Sequence, residues 1–282
     1  MNNKKYIINR FTKRQNPLVL RPFWNVIIGG VVVIMLIACS DLGERDNPLD
    51  PAAPNYEPTL KSPFEYNLED WNAKRGAYNT RSVGSGVHSV LMVTDPRDKN
   101  VYRTVVINGM RVFAENLRYA DSAASVNLKG QTWCYNNEVK NCKIGGRYYT
   151  WTAAMDLDSM WLSASADSLI DKQHQGICPD GWHIPDNAEW EALFKNVGYA
   201  AQQMAGFSGW NQATNVSGFS ALPVGYYNYY NGVFNDVGSY AYFWSATEGD
   251  GSAYIWLLNV QFASFNRKNK VCGLSVRCMK NN

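Results

Sequence analysis

Apolar and polar positions are distributed differently in the two parts of the chain. Val26–Ala38 is an uncharged apolar run of 13 residues that follows a basic segment. From about Leu91 onward, apolar residues occur in short runs separated by glycine, asparagine and proline. Short runs bounded by turn residues are typical of β-strands in a globular domain. The pattern predicts an N-terminal processing or membrane segment, followed by a separate β-containing domain.

A β-hairpin is predicted where two β-rich runs meet in "YRTVVINGMRVFAENL", at Asn108-Gly109. Asn-Gly is the strongest short-range hairpin signal, because both residues tolerate positive φ. Further short strands and loops are predicted in "FSALPVGYY", "AYFWSAT", "AYIWLLNVQFASF" and "GLSVRCMK".

One helix is clearly indicated in "GICPDGWHIPDNAEWEALFKNVG". Asp186 and Glu189 form a capping-box pair just after Pro185, and Gly198 supplies a C-terminal stop. Apolar residues recur at helical spacing and predict a core-facing stripe: Trp190, Leu193, Phe194 and Val197.

The remaining signals complete an α+β fold. A short helical start is predicted near Thr150, and the polar stretch between Cys134 and Cys142 is predicted to be a loop. We therefore expect short twisted antiparallel sheets with about two helices.

The N-terminal segment has the features of an export signal. Its apolar run is shorter than the about 20 residues that a spanning helix needs, and it follows a basic, acid-free stretch. Leu36-Ile37-Ala38-Cys39 resembles the bacterial lipobox, which implies a signal peptide at 1–38 and lipid on Cys39. An uncleaved anchor helix is the alternative.

The predicted localisation is the outer membrane, with the domain on the cell surface. Several acyl chains hold a protein durably on a bilayer. Ser40 follows the cysteine, where aspartate would suggest inner-membrane retention, and the start is made acidic by Asp41, Glu44 and Asp46, which resembles surface-export signals of outer-membrane lipoproteins.

Net charge changes once the signal is set aside. Removing the six basic residues before the apolar run from 27 leaves 21 against 24 acidic residues, a net charge of −3. A chain with no basic bias and no aromatic-interleaved basic stripe is not expected to bind nucleic acid.

A linker is predicted between lipid and domain, over 39–90, with the domain at 91–282. Proline removes backbone donors and stiffens the chain, so this segment should be extended and unpacked. Its prolines are Pro48, Pro51, Pro54, Pro58 and Pro63. A first strand folded back around His88–Thr94 is the alternative.

Seven sequence blocks occur in order: "AENLRYA", "WCYNNEVKNC", "GGRYYTWTAAM", "GICPDGWHIPDNAEWEAL", "GFSALPVGYYN", "YFWSAT" and "SVRCMK". They resemble the Fibrobacter major paralogous domain family over about Val93–Lys280. The resemblance implies a secreted protein or lipoprotein, and it implies no defined biochemical role. The "GWHIP…EW" helix and the "SVRC" strand also resemble C-type-lectin-like domains, which implies that fold.

Five cysteines remain after Cys39, and an exported location permits disulfides. Cys134 and Cys142 bracket a short loop and are predicted to pair. The lectin-like resemblance implies a Cys178–Cys278 disulfide. A straight terminal strand would hold Cys272 too far from Cys278 for a bond, so Cys272 is predicted to be a packed free thiol.

No catalytic motif or cofactor-binding motif is found, and no cofactor is expected. His183, in "GWHIP", is predicted to be structural. Three acidic residues, Asp236, Glu248 and Asp250, could supply oxygen ligands to Ca²⁺; a solvated acidic turn is the alternative. Formylglycine-generating enzymes use a redox cysteine pair near the C-terminus, a resemblance that would involve Cys272 and Cys278.

An aromatic stretch, "GYYNYYNGVFNDVGSYAYFW", is the candidate binding feature. Aromatic faces beside amide groups suit a sugar, which stacks its C–H face and hydrogen-bonds through its hydroxyls. The candidates are Tyr226, Tyr227, Asn228, Tyr229, Tyr230, Asn231, Asn235 and Tyr240. The alternative is a hairpin packed on the domain, with Tyr227 and Tyr229 on the face opposite Tyr226 and Tyr230.

These patterns predict a non-enzymatic, surface-tethered binding or adhesion lipoprotein that recognises a polysaccharide or a cell-surface partner. A structural or assembly protein of the envelope is the second hypothesis, and a formylglycine-generating-like enzyme is the third.

Overall fold

The computed structural model describes residues 62–65, 68–72, 91–195, 198–199, 201–206, 208–210, 213–249 and 251–282. The predicted signal peptide, Cys39, most of the predicted linker, Val197 and Asp250 lie outside these ranges. Among the described residues, no helix is both long enough and apolar enough to span a membrane.

The secondary structure is made of short strands and short helices. The strands are β1 (Leu91–Thr94), β2 (Val101–Ile107), β3 (Met110–Phe113), β4 (Thr132–Trp133), β5 (Tyr148–Tyr149), β6 (Trp182–His183), β7 (Tyr226–Asn228), β8 (Val233–Asn235), β9 (Ala241–Gly249), β10 (Ser252–Leu258), β11 (Ala263–Lys268) and β12 (Met279–Lys280). The helices are α1 (68–72), α2 (Val139–Gly145), α3 (Trp151–Ala154), α4 (Asn187–Lys195) and α5 (Ala201–Met204). The predicted α+β class is confirmed.

The largest described sheet has the order β1-β2-β3-β12-β6. Its hairpin turns at Asn108 and Gly109, whose φ angles of 51° and 78° fit a primed turn, so the Asn-Gly prediction is confirmed. The last strand is inserted between distant partners, since Met279 pairs with Val112 on one side and His183 on the other. The sheet therefore joins the two ends of the domain.

The other sheets are antiparallel and smaller. One has the order β11-β10-β9, and two are single pairs, β4-β5 and β7-β8. Thr150 caps α3, with its hydroxyl accepting from the Ala153 amide at 3.2 Å, as predicted. Strands β9, β10 and β11 and helix α3 therefore lie where the sequence predicts short strands and a helical start.

The predicted capping box of α4 is confirmed. The Glu189 amide donates to Asp186 Oδ1 at 2.8 Å, and the Asp186 amide donates to Glu189 Oε2 at 3.0 Å. These reciprocal bonds satisfy amides that the first helical turn leaves open. Of the predicted stripe, Trp190, Leu193 and Phe194 are fully buried, so it is core.

His183 is structural, as predicted, because its ring joins the terminal strand to α4. Its Nε2 lies 3.0 Å from both carboxylate oxygens of Glu189, and its Nδ1 lies 2.9 Å from Asn281 Oδ1. Burial lowers the pKa of His183, but the bonds to Glu189 and Asn281 outweigh that effect and raise it overall. Burial raises the pKa of Glu189, but the bonds to His183 and the Asp186 amide lower it overall.

We expect the His183–Glu189 pair to stabilise the fold most between pH 4.5 and 6.5, the ordinary pKa values of the two groups. A raised histidine pKa gives stability that is lost as pH rises through its folded value. A lowered carboxyl pKa gives stability that is lost as pH falls through its folded value. Glu189→Gln keeps a capping residue but removes the charge, so it should cost about 1.5–3 kcal/mol within that window.

Unfolding free energy measured from acid to alkaline pH checks this expectation. The exposed Glu191→Gln on the same helix is the matched control, and it should change stability by less than about 0.5 kcal/mol. A Glu189→Gln effect that is the same at every pH would contradict the charged pair.

The stretch between Cys134 and Cys142 differs from the prediction. Its second half belongs to helix α2, so the prediction of a loop is wrong there. Asn141, Cys142 and Ile144 are buried. The disulfide and the apolar Ile144 draw the segment inward, which a polar composition does not show.

Both predicted disulfides are present. Cys134–Cys142 and Cys178–Cys278 have Cα–Cα distances of 5.1 and 5.8 Å. The prediction of a free thiol at Cys272 is wrong, because that residue is buried and disulfide-bonded. A Cys272–Cys278 bond is excluded, as predicted, because Cys278 pairs with Cys178.

Part of the predicted linker packs on the domain. A 3₁₀ turn, Pro63–Glu65, lies against the disulfide-closed segment, and its Phe64 ring stacks on Tyr135 at 4.2 Å with an interplanar angle of 10°. Ser62 and Pro63 are buried. The prediction of an unpacked 39–90 linker is therefore wrong at this turn.

A buried arginine connects the two hydrophobic clusters of the core. The Arg277 guanidinium donates to Asn116 Oδ1 at 2.6 Å and to the carbonyls of Phe113, Phe219 and Ser220 at 2.8, 2.7 and 3.1 Å. Phe113 belongs to one cluster and Phe219 to the other. Burial lowers the pKa of Arg277 to about 9, so the group stays protonated at neutral pH.

Candidate functional site

The β7–β8 hairpin carries most of the predicted aromatic stretch. Its register pairs Tyr226 with Asn235, Tyr227 with Phe234, and Asn228 with Val233. Tyr227 also exchanges two backbone hydrogen bonds of 2.8 Å with Gly273. A Cβ at Gly273 would lie 3.0 Å from Tyr227 Cβ and 3.1 Å from Trp133 Cε3, so glycine permits this close approach.

Tyr226 and Asn228 are not available to a ligand, and the prediction is wrong for both. Tyr226 is 0% exposed, its hydroxyl accepts from Asn235 Nδ2 at 3.1 Å, and Lys268 Nζ lies 3.6 Å from its ring centroid. Asn228 is buried, and its Oδ1 accepts from the Tyr230 amide at 3.1 Å. Their side chains face the core because both lie on the inward face of β7.

The other predicted amide groups and Tyr240 support the hairpin locally. Asn235 donates to Tyr226, as above, and Asn231 Oδ1 accepts from the Val233 amide at 3.1 Å. Tyr240 is half-buried and stacks on Tyr242 at 5.7 Å. Of this group, only Asn231 is exposed.

Tyr229 and Tyr230 are exposed together at the tip of the hairpin, at 52% and 48%. Strand alternation would have placed them on opposite faces. However, β7 ends at Asn228, so both residues lie in the turn and the alternation no longer applies. Asn269 Nδ2 donates to the Tyr230 hydroxyl at 3.1 Å and holds that ring.

The exposed tyrosines continue into a row of neighbouring rings, some stacked and some edge-to-face, which we call the aromatic strip. Successive ring centroids are separated by 4.2, 5.1, 5.1, 4.3, 6.3 and 6.5 Å. In order, its members are Phe64, Tyr135, Phe234, Tyr227, Trp133, Tyr229 and Tyr230. The strip joins the packed linker turn to the hairpin tip.

Trp133 and Tyr135 belong to the candidate site but are not among the residues predicted for it. Trp133 stacks on Tyr227 with an interplanar angle of 28°, although they are distant in sequence. Their position beside Cys134 is a local signal, because a disulfide restrains the backbone on either side of each cysteine. The local sequence pattern does not predict that these two rings contact the β7–β8 hairpin.

One family model matches the chain, the Fibrobacter succinogenes major domain, over residues 105–280. The chain belongs to this family. No curated protein and no solved structure matches it. The C-type-lectin-like resemblance therefore stays a prediction.

Two acidic residues predicted for a calcium site, Asp236 and Glu248, are bonded within this Fibrobacter succinogenes major domain, and Asp250 lies outside the described residues. Glu248 is buried, with Oε1 2.6 Å from Lys270 Nζ and Oε2 accepting from the Ala166 amide at 2.6 Å. Asp236 accepts from the Tyr242 hydroxyl at 2.7 Å. Among the described residues, no group of three potential metal-ligating side chains comes together. Glu248 is thus a wrong candidate, because its oxygens are already bonded.

Cys272 and Cys278 of the domain are not a redox pair. Cys278 is bonded to Cys178, and both Cys272 and Cys278 are 0% exposed. The pairing implied by the formylglycine-generating enzyme resemblance is therefore wrong.

Proposed function

We propose that this Fibrobacter succinogenes major domain protein is a non-enzymatic, lipid-anchored surface protein that recognises polysaccharide through its aromatic strip. The observation that carries this proposal is the joint exposure of Tyr229 and Tyr230 beside the Trp133–Tyr227 stack. About half of each of these two large aromatic side chains is exposed at the hairpin tip, and apolar surface exposed side by side in this way favours a partner that covers it.

The chemistry of the strip fits a sugar. Ring faces with polar tips contact the apolar C–H face of a pyranose, while hydroxyls and amides hydrogen-bond its edge. Asn231 is exposed and Asn269 already orients Tyr230. Edge-to-face contacts of Tyr229 with Trp133 and Tyr230 restrict the rings, so binding loses less conformational entropy.

Replacing Tyr229 and Tyr230 together by alanine is expected to weaken polysaccharide binding by about 30-fold or more, the effect of losing a central aromatic anchor. The melting temperature should change by less than about 2 °C, because exposed side chains contribute little to folding. The measurement is a glycan array followed by titration calorimetry, with the full chain in a detergent that has no sugar headgroup. Tyr199→Ala, an exposed tyrosine in another segment, is the control.

Two outcomes would favour the envelope structural role instead. One is the absence of any binding of the wild-type chain to plant cell-wall polymers and other glycans. The other is a large loss of melting temperature in the double variant, which would mean that the tyrosines are needed by the fold.

The lipid anchor is proposed from the sequence alone, with residues 1–38 removed and Cys39 as the first residue. We expect the membrane-bound chain to have a mass that starts at Cys39 and includes acyl chains. An intact Met1, or a Cys39 peptide released only by reducing a disulfide, would contradict lipidation. Protease treatment of intact cells should remove the domain if it faces outward.

A further inference from the structure

The Cys134–Cys142 disulfide has an arginine at its sulfur atoms. Arg147 Nη1 lies 3.3 Å from Cys134 Sγ and 3.6 Å from Cys142 Sγ, within hydrogen-bond distance of both. Arg147 Nε donates to Thr132 Oγ1 at 3.0 Å, and the Arg147 amide donates to the Leu117 carbonyl at 3.0 Å. These two bonds do not involve the disulfide, so the guanidinium stays beside the sulfur atoms when the disulfide opens.

This arrangement stabilises the reduced pair of cysteines. A cation beside a cysteine favours the thiolate over the thiol, and Cys134 Sγ is the sulfur nearer to Arg147. Cys142 Sγ lies 3.8 Å from the Trp133 carbonyl, which can accept from the Cys142 thiol after reduction. Both sulfur atoms therefore have a partner in the reduced state. A disulfide whose reduced form is stabilised is easier to reduce.

Position in the fold also separates this disulfide from Cys178–Cys278. Cys178 and Cys278 belong to a hydrophobic cluster of the core and are 0% exposed. Cys134 and Cys142 belong to neither cluster and are 6% and 5% exposed. Cys142 lies on the short helix α2, whose Val139 is 70% exposed. Because short surface elements open locally at a lower free energy than the core, a reductant reaches this disulfide first.

The Cys134–Cys142 disulfide is also part of the framework of the aromatic strip. Trp133 and Tyr135 flank Cys134, and both rings belong to the strip. The disulfide joins their backbone to α2 across a Cα–Cα distance of 5.1 Å. Opening the bond removes this covalent restraint, so the segment that carries the two rings gains conformational freedom.

We propose that Cys134–Cys142 is a reversible redox switch, which fixes the aromatic strip when oxidised and loosens it when reduced by a dithiol. A thiolate of the dithiol attacks Cys142 Sγ and forms a mixed disulfide, while the Cys134–Cys142 bond breaks and Cys134 leaves as a thiolate beside Arg147. The second thiol of the reductant then attacks the mixed disulfide and releases Cys142. Two electrons pass to the protein and the dithiol becomes a disulfide; of its two protons, one goes to Cys142 and one to solvent.

The test equilibrates the full chain, in a detergent without a sugar headgroup, with graded ratios of reduced and oxidised dithiothreitol. Alkylation followed by mass spectrometry measures the reduced fraction of each cysteine. We expect Cys134 and Cys142 to be reduced at ratios that leave Cys178 and Cys278 bonded. Arg147→Gln should make the reduction about tenfold less favourable, which lowers the midpoint potential by about 30 mV.

Two variants and one wild-type measurement guard against a general effect on folding. Arg147→Lys keeps a cation and should stay within about threefold of the wild type. Arg267→Gln, at an exposed arginine of β11, should have no effect. In the reduced wild type at pH 7, Cys134 should be alkylated several-fold faster than Cys142, because the thiolate is the reactive form.

The effect on the strip is measured with and without a ligand. Hydrogen exchange of residues 133–145 should increase on reduction, while β9–β11 should stay protected. The expected effect on affinity rests on the proposed function: polysaccharide should bind the reduced chain several-fold more weakly than the oxidised chain.

Several outcomes would overturn the switch. They are reduction of both disulfides at the same ratio, equal midpoints in the wild type and Arg147→Gln, and unchanged hydrogen exchange of residues 133–145 on reduction. Equal polysaccharide affinity in the two states would also overturn it. Absence of polysaccharide binding in both states would contradict the proposed function alone, because the thiol and exchange measurements need no ligand and decide the switch by themselves.

Discussion

Replacing Arg277 by methionine is expected to destabilise the domain by about 4 kcal/mol or more. The guanidinium donates to four oxygens within the core, three of them backbone carbonyls. Methionine fills similar apolar volume but leaves those acceptors buried and unbonded, at about 1–3 kcal/mol each. Since domains are stable by only about 5–15 kcal/mol, much of the protein should be unfolded or lost during expression.

Urea unfolding of the full chain measures this effect, with two further variants for comparison. Arg277→Lys keeps the charge but presents fewer donors and no planar fork, so an intermediate loss is expected. Arg267→Met, at an exposed arginine of β11, should change stability by less than about 0.5 kcal/mol. A loss at Arg277→Met no larger than that of Arg267→Met would show that the buried bonds do not hold the core together.

Arg277 also connects several of the sequence blocks that resemble the family. Asn116 lies in "AENLRYA", Phe219 in "GFSALPVGYYN" and Arg277 in "SVRCMK", and the arginine bonds to both of the others. Asn116 Nδ2 also donates at 2.7 Å to the carbonyl of Gly145, the first residue of "GGRYYTWTAAM". These blocks meet in a buried polar network, so their resemblance to the family reports on the fold rather than on a ligand.

Local features were predictable from the sequence because their causes are local. The Asp186–Glu189 capping box and the Asn108-Gly109 turn each depend on residues a few positions apart. Backbone geometry within such a stretch is determined by its own side chains. The short-loop disulfide Cys134–Cys142 was predictable for the same reason.

The candidate site was predictable only in part, because its surface is assembled from distant segments. The sequence around Glu248 is typical of a solvated turn, but Lys270, 22 positions further along the chain, pairs with Glu248 and makes it a core residue. Trp133 reaches Tyr227 across the fold, and Phe64 comes from the predicted linker. Tyr226 and Tyr229 look alike in sequence, and only the end of β7 decides which one is buried.

Removing the Cys178–Cys278 disulfide by a double alanine substitution is expected to cost about 4–5 kcal/mol, since it closes a loop of 100 residues. Alanine avoids the buried hydroxyl that serine would leave. The matched comparison is the double alanine variant of Cys134 and Cys142, which are 8 residues apart. Chain entropy predicts a smaller loss of about 2.5 kcal/mol for that pair.

The difference in unfolding free energy between the two double alanine variants tests the effect of loop length more directly than either loss alone. Both pairs are buried, so the cost of losing packed sulfur atoms is similar in the two variants, and their difference isolates the loop length. Unfolding free energies of the full chain should differ by about 2 kcal/mol, with the long-loop variant less stable. Equal losses would show that these bonds act through native packing instead of the unfolded ensemble. The terminal strand, held between β3 and β6, would then depend on its sheet partners and Arg277 more than on the covalent link.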